Sequence, residues 1–381
     1  MRVYFDNAAT TPIDKEVLDA MLPILQNEYG NPSSIHGHGR SVRTIVEEAR
    51  KKVATVLNVT PSEIFFTSGG TEADNMALRC GVEHLGIKSI ITSPIEHHAV
   101  LHTAEDLAEG GHAALHLVKV DAKGVVDYSH LEQLMQENPK SLVSLMYGNN
   151  EIGNLLDVER VSALCQQYSC YFHCDTVQAM GHYNIDLSKT HIDFIACAAH
   201  KFNGPKGIGF IYINRNLKIK PFITGGAQER NMRGGTENVY GIVGLAKALE
   251  IAVRDMDIKH AQIQDLKNYM VERLTAEIPD VSFNGNSATE NSLYTVLNVS
   301  FPPSRVSEMM LFRMDMDGIS VSGGSACSSG SDVGSHVLGA LGVNPARANV
   351  RFSFGKQNTK EEVDYVVEKV KEMMGVGETV A

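Results

Sequence analysis

Residues 194–213 read Phe-Ile-Ala-Cys-Ala-Ala-His-Lys-Phe-Asn-Gly-Pro-Lys-Gly-Ile-Gly-Phe-Ile-Tyr-Ile: an apolar run, a lysine in a Gly/Pro loop, and a second apolar run. Outward from this stretch, short apolar and β-branched runs recur at 89–92, 115–118, 142–146, 170–174, 194–197 and 208–213. Segments of helical period at 71–85, 128–137 and 158–168 lie between several of them. Strands alternating with helices predict an α/β fold whose mostly parallel sheet is covered on both faces. Ligands of such sheets gather at the carboxyl ends of the strands. Beyond about residue 255 the texture changes. A polar helix over 259–277 leads to separate strands and helices, and Thr359 with Glu362 has capping-box spacing that starts a last helix. A chain of 381 residues exceeds what one core usually organises. The expected division is a large domain over 13–255 and a smaller α+β domain made of 1–12 and 256–381.

Composition narrows the class. With 43% hydrophobic and 21% charged residues the chain reads as a globular enzyme, and a formal charge of −11 gives no protein-wide basic field for nucleic acid. The six cysteines (80, 165, 170, 174, 197 and 327) include no Cys-x-x-Cys pair, so neither a disulfide framework nor a structural zinc site is expected. Reduced thiols point to the cytoplasm. The first six residues already reach an acid, unlike a signal peptide, and no stretch has the roughly 18 apolar residues of a membrane span.

Six elements carry chemistry. Lys201 stands at a strand end, where burial lowers an amine's pKa and suits it to a Schiff base; alone, it reads equally as a loop lysine. Asp175 ends the run before it, 26 residues upstream. A carboxylate so placed is what pyridoxal phosphate requires beside its ring nitrogen, which must stay protonated for the ring to act as an electron sink. In residues 67–75, Thr-Ser-Gly-Gly-Thr-Glu-Ala-Asp-Asn, the glycines lead into a helix with Thr71 as its expected N-cap, an anion site suited to a phosphate. His97 or His98 could stack on a ring and move protons. Neither this pair nor His36 with His38 has the further ligands a metal needs. Cys327 lies in a Gly/Ser-rich run, 320–331, that is expected to be mobile, and small neighbours leave it available as a nucleophile. The other five cysteines are expected in the core. Arg351, on a strand of the smaller domain, has the fork to hold a carboxylate.

Together these residues resemble cysteine desulfurases of the NifS/IscS type, class-V aminotransferase relatives among the fold-type I pyridoxal-phosphate enzymes. The resemblance runs from Asp6-Asn7-Ala8-Ala9-Thr10-Thr11-Pro12 through Asn31-Pro32-Ser33-Ser34-Ile35-His36 to Arg351, and Ala-His-Lys with Gly-Pro-Lys-Gly-Ile-Gly and Ser-Gly-Gly-Ser-Ala-Cys are its most specific parts. It implies that Lys201 carries the cofactor, Asp175 pairs with the ring nitrogen, Gln178 reaches the ring hydroxyl, and His97 stacks over the ring. Gly70, Thr71 and His200 would hold the phosphate, and Thr236 would reach the phosphate of a neighbouring subunit in a homodimer. Asn150 would touch cofactor and substrate carboxylate, Arg351 would bind that carboxylate, and Cys327 would take the sulfur of L-cysteine, leaving alanine. The persulfide would then pass to an acceptor, as in iron–sulfur cluster assembly. Two features depart from the family. Ala198 stands where a phosphate-contacting serine is common, which predicts looser cofactor retention, and the tail after Gly375 is shorter than that of members docking a scaffold protein. A selenocysteine lyase or another class-V enzyme is the nearest alternative, and a non-catalytic sulfur-carrier scaffold a more distant one.

Overall fold

A computed structural model describes residues 1–323 and 334–376. In chain order its strands are β1 (Val3–Tyr4), β2 (Ile64–Thr67), β3 (Ser89–Thr92), β4 (Ala114–Leu117), β5 (Leu142–Ser144), β6 (Tyr171–Asp175), β7 (Phe194–Ala198), β8 (Gly209–Ile213), β9 (Ser282–Phe283), β10 (Val296–Phe301), β11 (Ile319–Ser320) and β12 (Ala348–Ser353). Seven of them form one sheet in the order β2-β8-β7-β6-β5-β3-β4. The pairs from β4 across to β7 are parallel, and β8 runs antiparallel to both its neighbours.

Period-two alternation explains why both faces are covered. Ile195 and Phe210 enter one apolar cluster with Phe172 and Leu249, while Phe194 and Ile211 enter another with Met76 and Ile90. Each fully buried side chain of this kind contributes about 1.5–3 kcal/mol. The helices between strands begin where polar caps follow strand ends. The side chains of His97, Asp127 and Asp157 accept backbone N–H groups at the starts of His98–Glu109, Tyr128–Glu137 and Val158–Gln167.

The expected elements are met with local corrections. The helix over 71–85 is Gly70–His84, and its N-cap is Gly69, not Thr71. Thr71 lies inside the first turn because the backbone enters the helix at Gly70. The strand expected over 142–146 stops at Ser144, since Met146 N–H turns away to donate to the Glu96 carboxyl at 2.9 Å. Strand β2 was not expected. It forms because Ile64–Thr67 pairs antiparallel with β8, about 145 residues on.

After Met256–Glu277, β10 lies between β9 and β12 in a small antiparallel sheet. Its own apolar cluster joins Leu297, Val350 and Phe352 to Met270, Val366 and Val370, and Val3 and Phe5 from the N-terminus enter the same cluster. The last helix, Lys360–Met374, carries the Thr359/Glu362 capping box. Among the described residues no helix is long and apolar enough to cross a membrane.

Candidate active site

The carboxyl ends of β6 and β7 and the start of the helix Gly70–His84 meet around a cavity of about 230 Å³. Its walls include Gly70, Thr71, His97, Asn150, Asp175, Gln178, His200, Lys201 and Arg351. Strand direction explains the convergence: Asp175 is the last residue of β6, and Lys201 closes the 3₁₀ turn Ala199–Lys201 that follows β7.

Lys201 Nζ donates to the Ala8 carbonyl at 2.5 Å and to that of Ala9 at 2.9 Å. Gln178 Nε2 donates to the same Ala8 oxygen at 3.0 Å. Asp175 Oδ1 accepts Val177 N–H at 2.9 Å. Burial raises its carboxyl to about 6, against the lowering effects of that N–H and of Lys201. Beneath it lie two more buried carboxyls. Glu96, holding Ser93 Oγ and Met146 N–H, is pushed up to about 8 by desolvation, and Asp74 is raised well above the carboxylate range by burial and then by Asp175 and Glu96. Asp74 Oδ1 faces His173 Nε2 at 3.4 Å, and neither atom has a hydrogen-bond partner among the described residues.

The histidines are separated by their caps. His97 Nδ1 accepts Ala99 N–H at 3.1 Å, so in the neutral ring the proton sits on Nε2. Burial, then the charge of Lys201, lowers His97 to about 4, keeping it neutral at pH 7. His98 instead packs outside the cavity lining, its Nδ1 3.1 Å from His102 Nε2 and its ring 4.4 Å from that of His336. The sequence left this pair open, and the fold puts only His97 in the wall. His200 Nδ1 meets Thr10 Oγ1 at 3.1 Å, and burial lowers it to about 4.

Gly70 is where backbone approach is tight. A Cβ there would meet Val177 Cγ2 at 2.7 Å and Ala198 Cβ at 3.8 Å. The helix start, where first-turn N–H groups have no partner within the helix, therefore packs against the ends of β6 and β7. Arg351 is 1% exposed; its fork donates to the Asn150 carbonyl at 2.9 Å and to Asp6 Oδ1 at 2.9 Å, and Nε has no partner among the described residues.

Residues 3–366 match the family described as aminotransferase class V. The chain belongs to that family. Among curated relatives it is 43% identical over 370 residues to the cysteine desulfurase IscS of Dictyoglomus turgidum, covering 96% of this chain and 93% of that one. It is 42% identical over 379 residues, 98% of each chain, to the putative cysteine desulfurase IscS 1 of Bacillus subtilis. A solved NifS-like protein superposes with a TM-score of 0.90 at 40% identity, covering 98% of this chain and all of that one. SspA, solved in complex with cysteine, superposes at 0.79 with 32% identity over 92% of this chain and 98% of its own. The family uses pyridoxal phosphate in general, and the covered mostly parallel sheet of this class-V chain agrees with its fold-type I architecture.

Two expected site residues stand apart from the cavity wall. Thr236 is exposed and borders a separate hollow with Glu229, Arg233 and Glu237. Cys327 lies outside the described residues. The other five cysteines are all buried, as expected, and burial pushes the Cys80 thiol up to about 12. Sequence reasoning missed Ala8, Ala9 and Asp74 in the wall and Asp6 behind it. All four lie within motifs quoted above. Backbone carbonyls and a buried acid leave no compositional signal of their own.

Proposed function

We propose that this class-V enzyme is a pyridoxal-phosphate-dependent cysteine desulfurase that converts L-cysteine to L-alanine and leaves the sulfur as a persulfide on Cys327. The observation that carries the reading is the convergence of Lys201, Asp175, His97 and Arg351 on one cavity. The names of the relatives and the cysteine complex of SspA support the substrate.

The residues present fit the cofactor. Asp175 is a buried carboxyl already held partly charged by a backbone N–H, and a cationic ring nitrogen beside it would lower its pKa further. The helix start at Gly70 and Thr71, with His200, offers N–H donors to a phosphate, and the missing Cβ of Gly70 keeps that approach open. When bound, pyridoxal phosphate supplies an electron sink for charge developing on the substrate Cα. Lys201 would tether the cofactor and would serve as the base for the Cα proton. Gln178 and Asn150 would hold the ring's polar edge. His97, neutral with its proton on Nε2, would stack over the ring and present that N–H to the substrate sulfur. Arg351 takes the substrate carboxylate, using Nε and the fork that Asp6 and Asn150 otherwise occupy.

The sulfur step balances without an external oxidant. Cys327 thiolate attacks the substrate sulfur, an S–S bond forms, and the Cβ–S bond breaks with its electron pair left on carbon. That carbon is then protonated, so cysteine plus Cys327 thiol gives alanine plus Cys327 persulfide. The persulfide serves iron–sulfur cluster assembly or another cytoplasmic sulfur-transfer route through an acceptor protein.

The enzyme acts as a homodimer. Thr236 lies off its own chain's cavity, and Leu18, Leu22, Leu25 and Tyr29 leave an exposed apolar stripe; both support a partner subunit whose phosphate site Thr236 completes. The domain division at residues 12 and 255 belongs to the same reading, with the smaller unit supplying Arg351 and Cys327.

The test is alanine formed from L-cysteine by the cofactor-loaded protein beside Cys327→Ser. Wild type is expected to form alanine and the variant almost none. No alanine from wild type that holds cofactor would transfer the chain to another class-V substrate, selenocysteine first.

A further inference from the structure

We propose that Tyr294 and His182 are positioning residues for Lys201, a one-way hydrogen-bond chain that ties the sheet bearing Arg351 to the lysine. This rests on the reading of Lys201 as the reactive amine. His182 Nε2 lies 3.3 Å from the backbone carbonyl of Lys201, and Nδ1 lies 2.7 Å from the Tyr294 hydroxyl. A carbonyl can only accept, so Nε2 carries the proton and donates to Lys201. Nδ1 then holds a lone pair, and the Tyr294 O–H must donate to it. Removing the hydroxyl therefore frees the ring to take the other tautomer, which cannot donate to Lys201.

Both ends are held by packing. His182 follows Gly181, whose φ of +76° and close approach to Ala252 and Phe202, 3.0 Å from each for a Cβ, disfavour any side chain there. Tyr294 is 1% exposed, and His260 stacks on its ring at 4.3 Å with a 17° tilt. Burial lowers His182 to about 4, so the ring is neutral at working pH and one tautomer is meaningful.

Tyr294 stands two residues before β10, and β10 pairs with β12 in a register that sets Asn298 opposite Arg351. The strand that carries the guanidinium and the strand entered through Tyr294 thus move as one ladder. On the other side, the carbonyl that His182 holds belongs to the 3₁₀ turn that aims the Lys201 side chain. A shift of this sheet on binding a carboxylate at Arg351 would be passed to the peptide of Lys201 through two hydrogen bonds. Proton transfer depends steeply on such placement, whereas loss of the Tyr294 hydroxyl removes none of the direct contacts a carboxylate would make at Arg351.

The experiment uses the full-length, cofactor-loaded protein and Tyr294→Phe, which keeps the ring stack and deletes only the hydroxyl. The pH midpoint of the lysine–cofactor absorption band is titrated without substrate, and kcat and KM for L-cysteine are measured beside it. The expected result is a shifted midpoint and a kcat about tenfold lower, with KM within twofold and cofactor content unchanged. His182→Gln, which retains an N–H that can reach the carbonyl, is expected to recover part of the kcat lost in His182→Phe. An unchanged midpoint and kcat in Tyr294→Phe, or a loss confined to KM and melting temperature, would overturn the proposal. A wild type with no such band would instead remove the reading of Lys201 on which it rests.

Discussion

The floor and the roof of the cavity are built in opposite ways. The floor is the carboxyl end of one continuous sheet, with Asp175 and Lys201 following neighbouring strands and the helix start at Gly70 packed against them. Its ionisable groups are drawn toward neutrality by burial: Glu96 and Asp74 upward, His97 and His200 downward. The roof is assembled from chain ends. Ala8 and Ala9 accept from Lys201, and Arg351 meets Asp6 across 345 residues of sequence. There the charge is kept and paired instead of suppressed. On the floor Asp175 and Lys201 stand among groups that burial draws toward neutrality, while at the roof an incoming carboxylate can take the place of Asp6 on Arg351.

The contrast is broken most severely at the roof. Arg351→Lys keeps the charge and loses the fork, so KM for L-cysteine is expected to rise roughly 10- to 100-fold with a smaller fall in kcat, read by steady-state kinetics. An unchanged KM would remove Arg351 from substrate binding. At the floor, Ala198 Cβ lies 3.8 Å from where a Cβ on Gly70 would stand, so a serine there would sit beside the helix start. Ala198→Ser is expected to tighten cofactor binding about tenfold by equilibrium titration, in line with the roughly 1.5–3 kcal/mol of a charge-assisted hydrogen bond less the cost of ordering it. No tightening would mean that the phosphate is already satisfied without it.

A pH-dependent effect sharpens the electrostatic half of the comparison. A Glu96 whose folded pKa is about 8, above its ordinary 4.5, favours the protonated native state. Its contribution is complete below about pH 4.5 and is lost as pH rises through 8. Glu96→Gln removes that loss. Relative to wild type, the cofactor-free variant is expected to gain stability between pH 6 and 8, by at most about 1.4 kcal/mol per pH unit, in urea unfolding. A difference that stays flat across this interval would mean that Glu96 is ionised in the fold.

The floor was largely legible because its signals are local. The runs at 89–92 and 194–197 and the helix at 128–137 depend on periodicity and on contacts a few residues apart, and the capping box at Thr359 in the smaller unit is equally local. Where local signals competed, the reading slipped: Thr71 has the cap chemistry, but Gly69 takes the position because the close packing of Gly70 sets where the helix begins. The choice of His97 over His98 was likewise beyond spacing, since it turns on which ring caps the helix and which packs on His336.

The amino-acid sequence by itself determined the covered α/β sheet, the lysine and carboxylate at its strand ends, and the glycine entry to the helix, because each follows from residue type and spacing along one stretch of chain. Only the tertiary structure decided that the carbonyls of Ala8 and Ala9 receive Lys201, that Asp6 holds Arg351, that Asp74 and Glu96 lie buried beside Asp175, and that Tyr294 reaches Lys201 through His182. The physical reason is common to all of them. Backbone carbonyls are the same at every residue, and a buried polar group's charge and partner depend on neighbours that only folding brings within a few ångströms.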